Sequence, residues 1–161
     1  MSAPGRPQAL IPERFKREGT PVAATQRLLV TMGDAAGIGP EIIVRALQRE
    51  QARDTVVIAD AAVLRRAQAQ LGDPTPLHVL DRPDAPLPAQ GIAVWQPPGL
   101  PQGLSQLPQG QVQAACGAAA ALCIEAAVRA IQRGEARALV TAPIHKKALA
   151  AAGVRYPGHT E

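Results

Sequence analysis

"TMGDAAGIGPEII", residues 31–43, decides how the rest of the chain is organised. The apolar run at 27–32 leads into it and stops at Gly33, which predicts a short buried strand and then a loop. On the far side, Pro40 suits the first turn of a helix, where a missing N–H costs nothing. Glu41 complements the positive helix end. Ile42, Ile43, Ala46 and Leu47 then recur at helical spacing. Gly37 and Gly39 allow a tight turn and leave N–H groups free at the helix start, which suits an anionic ligand. The loop is not a dinucleotide fingerprint, because Ile42 stands where G-x-G-x-x-G requires its last glycine. It also lacks the G-K-[ST] of a P-loop. Two readings fit the spacing equally: a ligand-binding loop, or a plain strand-to-helix turn whose backbone Asp34 caps.

The same alternation continues outward. "TVVIAD" (55–60) predicts a strand and "AAVLRRAQAQLG" a helix stopped by Gly72. Residues 73–110 hold nine of the sixteen prolines, with two strands, "LHVL" (77–80) and "IAVW" (92–95), between long turns. "QVQAACGAAAALCIEAAVRAIQRG" (111–134) is a long helix, expected to be mostly buried, with Glu125, Arg129, Gln132 and Arg133 on its polar face. "ARALVTAP" (136–143) is a further strand, and "HKKALAAAG" a short helix ended by Gly153. Strands and helices that take turns predict an α/β fold, a mainly parallel sheet with helices on both faces. Residues 1–24 are expected to form a disordered basic tail and 25–161 the folded part.

Composition narrows the function classes. Only Phe15, Trp95 and Tyr156 are aromatic, so the core must be built from Ala, Val, Leu and Ile. The net charge is +4, but residues 1–30 carry five bases against two acids, leaving twelve against eleven elsewhere. A basic tail without interleaved aromatics does not make a nucleic-acid surface. Cys116 and Cys123 lie seven apart on one helix, roughly 10 Å along its axis, too far for a disulfide. They read as small buried hydrophobes of a reduced compartment. No apolar leader stands at the N-terminus and no run approaches a membrane span, so the expected location is the cytoplasm and no membrane partner is expected.

Two further stretches carry polar groups that could do chemistry. "TAPIHKKAL" puts Thr141, His145, Lys146 and Lys147 at the carboxyl edge of a parallel sheet, where ligands bind in such folds. Either lysine could meet a phosphate or carboxylate, and either could simply be solvated. "YPGHTE" (156–161) places His159, Thr160 and Glu161 after a turn dipeptide, suited to ligand contact or to a surface turn. His78, alone in an apolar strand, reads as a core or edge histidine. Three histidines without a metal-spaced pair assemble no metal site.

Taken together, "TMGDAAGIGPEII", "TAPIHKKALAAAG" and "YPGHTE" resemble the 4-hydroxythreonine-4-phosphate dehydrogenases, closest to the branch that includes four-carbon sugar-acid phosphate dehydrogenases. The likeness covers about residues 26–161 and includes the helix around Gly117. "GIGPE" is also similar to the opening of isocitrate and isopropylmalate dehydrogenases, so the resemblance implies their non-Rossmann α/β fold, here incomplete. It implies NAD- or NADP-dependent oxidation of a small phosphorylated hydroxy acid, followed by loss of CO2, as in vitamin B6 biosynthesis. It also implies a divalent metal (Zn, Mg or Co) and a homodimer in the full-length family. His159 and Thr160 carry over as substrate-binding residues; Lys146 is offered as a phosphate contact. The metal histidines and much of the dinucleotide site belong to later segments of the family, so the chain reads as the N-terminal, truncated half of such an enzyme, inactive alone. The rival from another class is a non-catalytic fragment or phosphate-ligand-binding module.

Overall fold

The computed structural model describes residues 27–48 and 54–154. The expected basic tail lies outside the described residues. In chain order the elements are β1 (Leu28–Thr31), α1 (Gly39–Leu47), β2 (Thr55–Ile58), α2 (Ala61–Leu71), β3 (Leu77–Leu80) and β4 (Ile92–Trp95). A 3-10 turn (Leu104–Gln106), α3 (Ala114–Gln132), β5 (Ala138–Thr141) and α4 (Lys146–Ala151) complete it. The strand and helix positions predicted from the alternation are all present.

The five strands form one parallel sheet in the order β3-β4-β2-β1-β5. β1 pairs in register with β2 on one side (Leu29 opposite Val56) and with β5 on the other (Leu29 opposite Leu139). From β1 the chain moves through α1 to β2 and through α2 to β3, always in one direction. It then turns back to β4, and α3 carries it across to β5 at the opposite edge. Right-handed crossovers put helices of opposite travel on opposite faces. Accordingly α1 packs with α2, while α3 packs with α4 and lies along β1, β2 and β5. The reversal of direction places the topological switch between β1 and β5.

Small aliphatic side chains fill the core, as the near absence of aromatics requires. Leu29, Val56, Val57, Ile58, Val63, Leu64, Val94 and Leu104 are fully buried, with alanines of α3 closing the space above them. Local signals set the helix ends. Asp60 caps α2 by accepting from the N–H groups of Ala62 (2.7 Å) and Val63 (3.2 Å), and Gly72 ends it at φ 64°. On α3, Arg129 donates to Glu125 at 2.8 Å, an i,i+4 pair on the polar face.

Two expectations, both on α3, need correction, and α1 settles a choice of face that the spacing left open. On α1 the buried face is Pro40, Ile43 and Val44, while Ile42 is 45% exposed and Ala46 is exposed. Adjacent isoleucines point to different sides of a helix, and only packing reveals which is inside. α3 buries one side (Cys116, Gly117, Ala119, Ala120, Cys123, Ala126, Ala127, Ala130) rather than most of its surface, and Val128 is exposed. A uniformly small, apolar composition carries no signal of which side is covered. α3 also has the length and hydropathy of a membrane span, which the sequence reading did not anticipate. Its buried side is spent on the sheet and α4.

Both cysteines are free and buried, as expected. Burial, and secondarily the charge of Asp60, pushes the Cys123 thiol up from 9.0 to about 12. The folded chain therefore holds this proton over a range in which the unfolded chain has lost it. That contribution to stability is complete below pH 9 and is lost as pH rises from 9 toward 12. The denaturation midpoint of a Cys123→Ala variant should accordingly fall less steeply across that range than that of the parent chain. Iodoacetamide should label Cys123 only after unfolding; rapid labelling of the native chain would contradict its burial.

Candidate functional site

Parallel strands of this kind present their ligand loops at the carboxyl edge, and the crevice forms where strand order reverses. Here that point is occupied by the loop after β1 (32–38) and the segment after β5 (142–145). Backbone bonds knit the two together: Ala142 N–H donates to Thr31 C=O at 3.0 Å and Asp34 N–H to Pro143 C=O at 2.9 Å.

The glycines explain how the segments come so close. Gly33 adopts φ 69°, and a Cβ on it would lie 2.3 Å from the Pro143 carbonyl oxygen. A Cβ on Gly39 would lie 2.3 Å from the Met32 carbonyl oxygen. The sequence reading assigned the tight turn to Gly37 and Gly39. The structure gives the left-handed turn to Gly33, Gly39 is needed for close approach, and Gly37 has neither constraint to the same degree. The spaces beside Gly33 and Gly39 are filled by the chain's own carbonyls, so these glycines do not open a cradle for a pyrophosphate.

Asp34 is buried and caps the loop, accepting from Ala36 N–H at 3.0 Å, as the turn reading expected. The loop is clamped from outside by Arg66 of α2. Its guanidinium donates to the carbonyls of Ala35 (2.6 Å), Ser105 (2.9 Å) and Leu107 (3.3 Å), joining the loop, α2 and the 3-10 turn. Gly110 N–H closes the other side by donating to Ala36 C=O at 2.8 Å. Cys116 of α3 lies against the same loop. Burial, with the nearby Asp34 charge, pushes its thiol up, which makes it an inert wall rather than a nucleophile.

On the β5 side, Thr141 is half-buried opposite Thr31, whose hydroxyl is fully buried without a hydrogen-bond partner among the described residues. His145, Lys146 and Lys147 follow, all exposed. Among the described residues their side chains make no hydrogen bond or ion pair. Lys146 thus stands exposed at the switch point. His159 and Thr160 lie outside the described residues. His78 is an exposed edge residue on β3, remote from this loop pair in the strand order. Among the described residues no group of three His, Cys, Asp or Glu could hold a metal ion. The described residues therefore hold no metal-donor group, and Gly33 and Gly39 offer no cradle for a pyrophosphate.

Sequence reasoning missed Arg66, because Arg65 and Arg66 stand side by side in α2 and nothing in their spacing says which turns inward. It also missed the role of Gly117, where a Cβ would lie 2.0 Å from the Ala148 carbonyl oxygen of α4.

Comparison with known proteins agrees with the motifs. The family described as pyridoxal phosphate biosynthetic protein PdxA matches residues 51–161. A 4-hydroxythreonine-4-phosphate dehydrogenase of Beijerinckia indica is 41% identical over 145 residues, covering 83% of this chain and 40% of its own. A D-threonate 4-phosphate dehydrogenase of Salmonella typhimurium is 41% identical over 142 residues, covering 85% and 42%. The crystal structure of a 4-hydroxythreonine-4-phosphate dehydrogenase from Burkholderia phymatum superposes with a TM-score of 0.77 at 37% identity, over 84% of this chain and 42% of that one. The chain spans about two fifths of the length of the relatives it matches. The parallel sheet with its helices is the isocitrate dehydrogenase-like fold of these neighbours.

Proposed function

This chain belongs to the PdxA family of pyridoxal phosphate biosynthetic proteins, and from that membership we propose that it serves the oxidation of a secondary alcohol on a small phosphorylated hydroxy acid. The substrate class is 4-hydroxythreonine 4-phosphate or a related four-carbon acid phosphate, in vitamin B6 biosynthesis in the cytoplasm. The observation that carries the reading is the switch point, where two knitted loops present an exposed Lys146 that makes no hydrogen bond or ion pair among the described residues. In this reading Lys146 meets the phosphate, and His159 and Thr160 hold the rest of the substrate. The chain's own contribution is to bind and orient.

An alcohol oxidation of this kind calls for NAD or NADP as hydride acceptor, and for a divalent metal (Zn, Mg or Co). No metal-donor group stands among the described residues, and in this reading the metal and much of the dinucleotide site fall to the later segments that the resemblance implies. Residues 1–161 by themselves then bind substrate without turning it over. The lack of a metal-donor group among the described residues equally suits the alternative, a non-catalytic module that retains phosphate-ligand affinity.

Calorimetric titration with 4-hydroxythreonine 4-phosphate and with D-threonate 4-phosphate tests the binding claim. Saturable binding is expected, weakened about tenfold in Lys146→Met, the loss of one charge-assisted contact of ~1.5 kcal/mol. No binding by the parent chain would overturn the reading. Reduction of NAD+ with the same substrates and Mg2+ or Zn2+ should be undetectable for residues 1–161, and measurable turnover would refute the assignment of cofactor and metal to other segments.

A further inference from the structure

We propose that Gly117, in the middle of α3, is a positioning residue for the basic segment His145 to Lys147; the inference rests on the assignment of Lys146 to the substrate phosphate. A Cβ on Gly117 would lie 2.0 Å from the carbonyl oxygen of Ala148, 2.3 Å from its carbonyl carbon and 2.7 Å from the Leu149 nitrogen. α3 and α4 therefore meet backbone to backbone at this point, with no side chain between them. Ala148 and Leu149, the α4 residues at the contact, are 1% and 5% exposed.

The basic segment is suspended between this contact and a second one. At its other end Pro143 is held against Gly33, with a hydrogen bond to Asp34 N–H at 2.9 Å. Between Pro143 and Ala148 the chain has only four residues, and three of them are exposed. Among the described residues their side chains make no hydrogen bond or ion pair. Lys146 opens α4, whose first turn is tied to His145 C=O by the N–H groups of Ala148 (2.9 Å) and Leu149 (3.1 Å). Its place therefore follows that of α4, whose contact with α3 exists only because position 117 lacks a Cβ. Packed backbone cannot yield without moving as a body. An alanine at 117 therefore shifts α4 away from α3 and carries the lysine with it.

The test is a double-mutant cycle on substrate affinity, measured by titration with 4-hydroxythreonine 4-phosphate well below each variant's melting temperature. Gly117→Ala is expected to raise Kd about tenfold, on the scale at which small misplacements are felt. Lys146→Met should do the same, and the double variant should be little worse than either, since both remove one contact. If Lys146→Met leaves Kd unchanged, the phosphate assignment itself fails. Should Lys146→Met weaken binding while Gly117→Ala does not, or should the two effects add, the positioning role is refuted. A purely structural glycine would lower the melting temperature and leave that coupling at zero. If Gly117→Ala does not fold, Leu149→Ala withdraws the adjacent buried anchor of α4 without adding bulk. A Kd that rises and is coupled to Lys146→Met supports the proposal, and an unchanged or additive Kd overturns it.

Discussion

Gly33→Ala is expected to cost the folded chain roughly 2–5 kcal/mol, summing a left-handed backbone penalty of ~1–2 kcal/mol and a packing collision of ~1–3 kcal/mol. Both terms come from one position. At φ 69° an L side chain is strained wherever it points, and here it points at the Pro143 carbonyl oxygen, 2.3 Å away. The carbonyl cannot retreat freely, because it accepts the Asp34 N–H across the same gap. Relief requires the loops after β1 and β5 to separate, which also pulls at the bond from Ala142 N–H to Thr31 C=O. Against a total stability of roughly 5–15 kcal/mol, the loss is large. Urea denaturation of the parent and variant chains measures it. A difference below about 1 kcal/mol, the size of an ordinary surface change, would show that the loop junction is not the constraint inferred here.

Arg66→Ala should be of similar severity for a different reason. Its guanidinium serves three carbonyls from two segments besides its own helix through part-buried bonds, and Ala35 at one of them is fully buried. Leaving a buried acceptor without a partner costs ~1–3 kcal/mol, so the combined loss is expected near 3 kcal/mol. Arg66→Lys should recover only part of this, because a single ammonium cannot reproduce the planar fork that spans the separate acceptors. Equal stability of the lysine and arginine forms would mean that charge alone holds the loop. Combining Arg66→Ala with Gly33→Ala should cost less than the sum, since each loosens residues 33–36.

Much of this fold was legible because its signals are local. Pro40 and Glu41 announce the start of α1, Gly72 the end of α2, and the four-residue strands stand out as aliphatic runs even in the proline-rich stretch around β3 and β4. The order of the strands was not legible. That β4 inserts between β3 and β2 depends on pairings between distant residues, such as Ile58 with Trp95, that no window of sequence contains. The candidate site divides in the same way. The placement of Lys146 at a carboxyl edge follows from a strand followed by a short helix. The glycine that takes the left-handed turn, the inward choice of Arg66 over Arg65 and the contact at Gly117 are set by neighbours from other elements. Among "GDAAG" and a run of alanines, each is chemically unmarked.

The scarcity of aromatic side chains has an optical consequence. Trp95 is the chain's only indole, and it sits half-buried at the carboxyl end of β4, paired with Ile58 and Leu80. With one strand between β4 and β1, it stands about 10 Å from the carboxyl end of β1, where the loop junction begins. The tryptophan emission of the polypeptide, excited at its red edge where tyrosine does not absorb, therefore originates beside the edge where substrate would arrive. Its colour and intensity can follow events there without any attached dye.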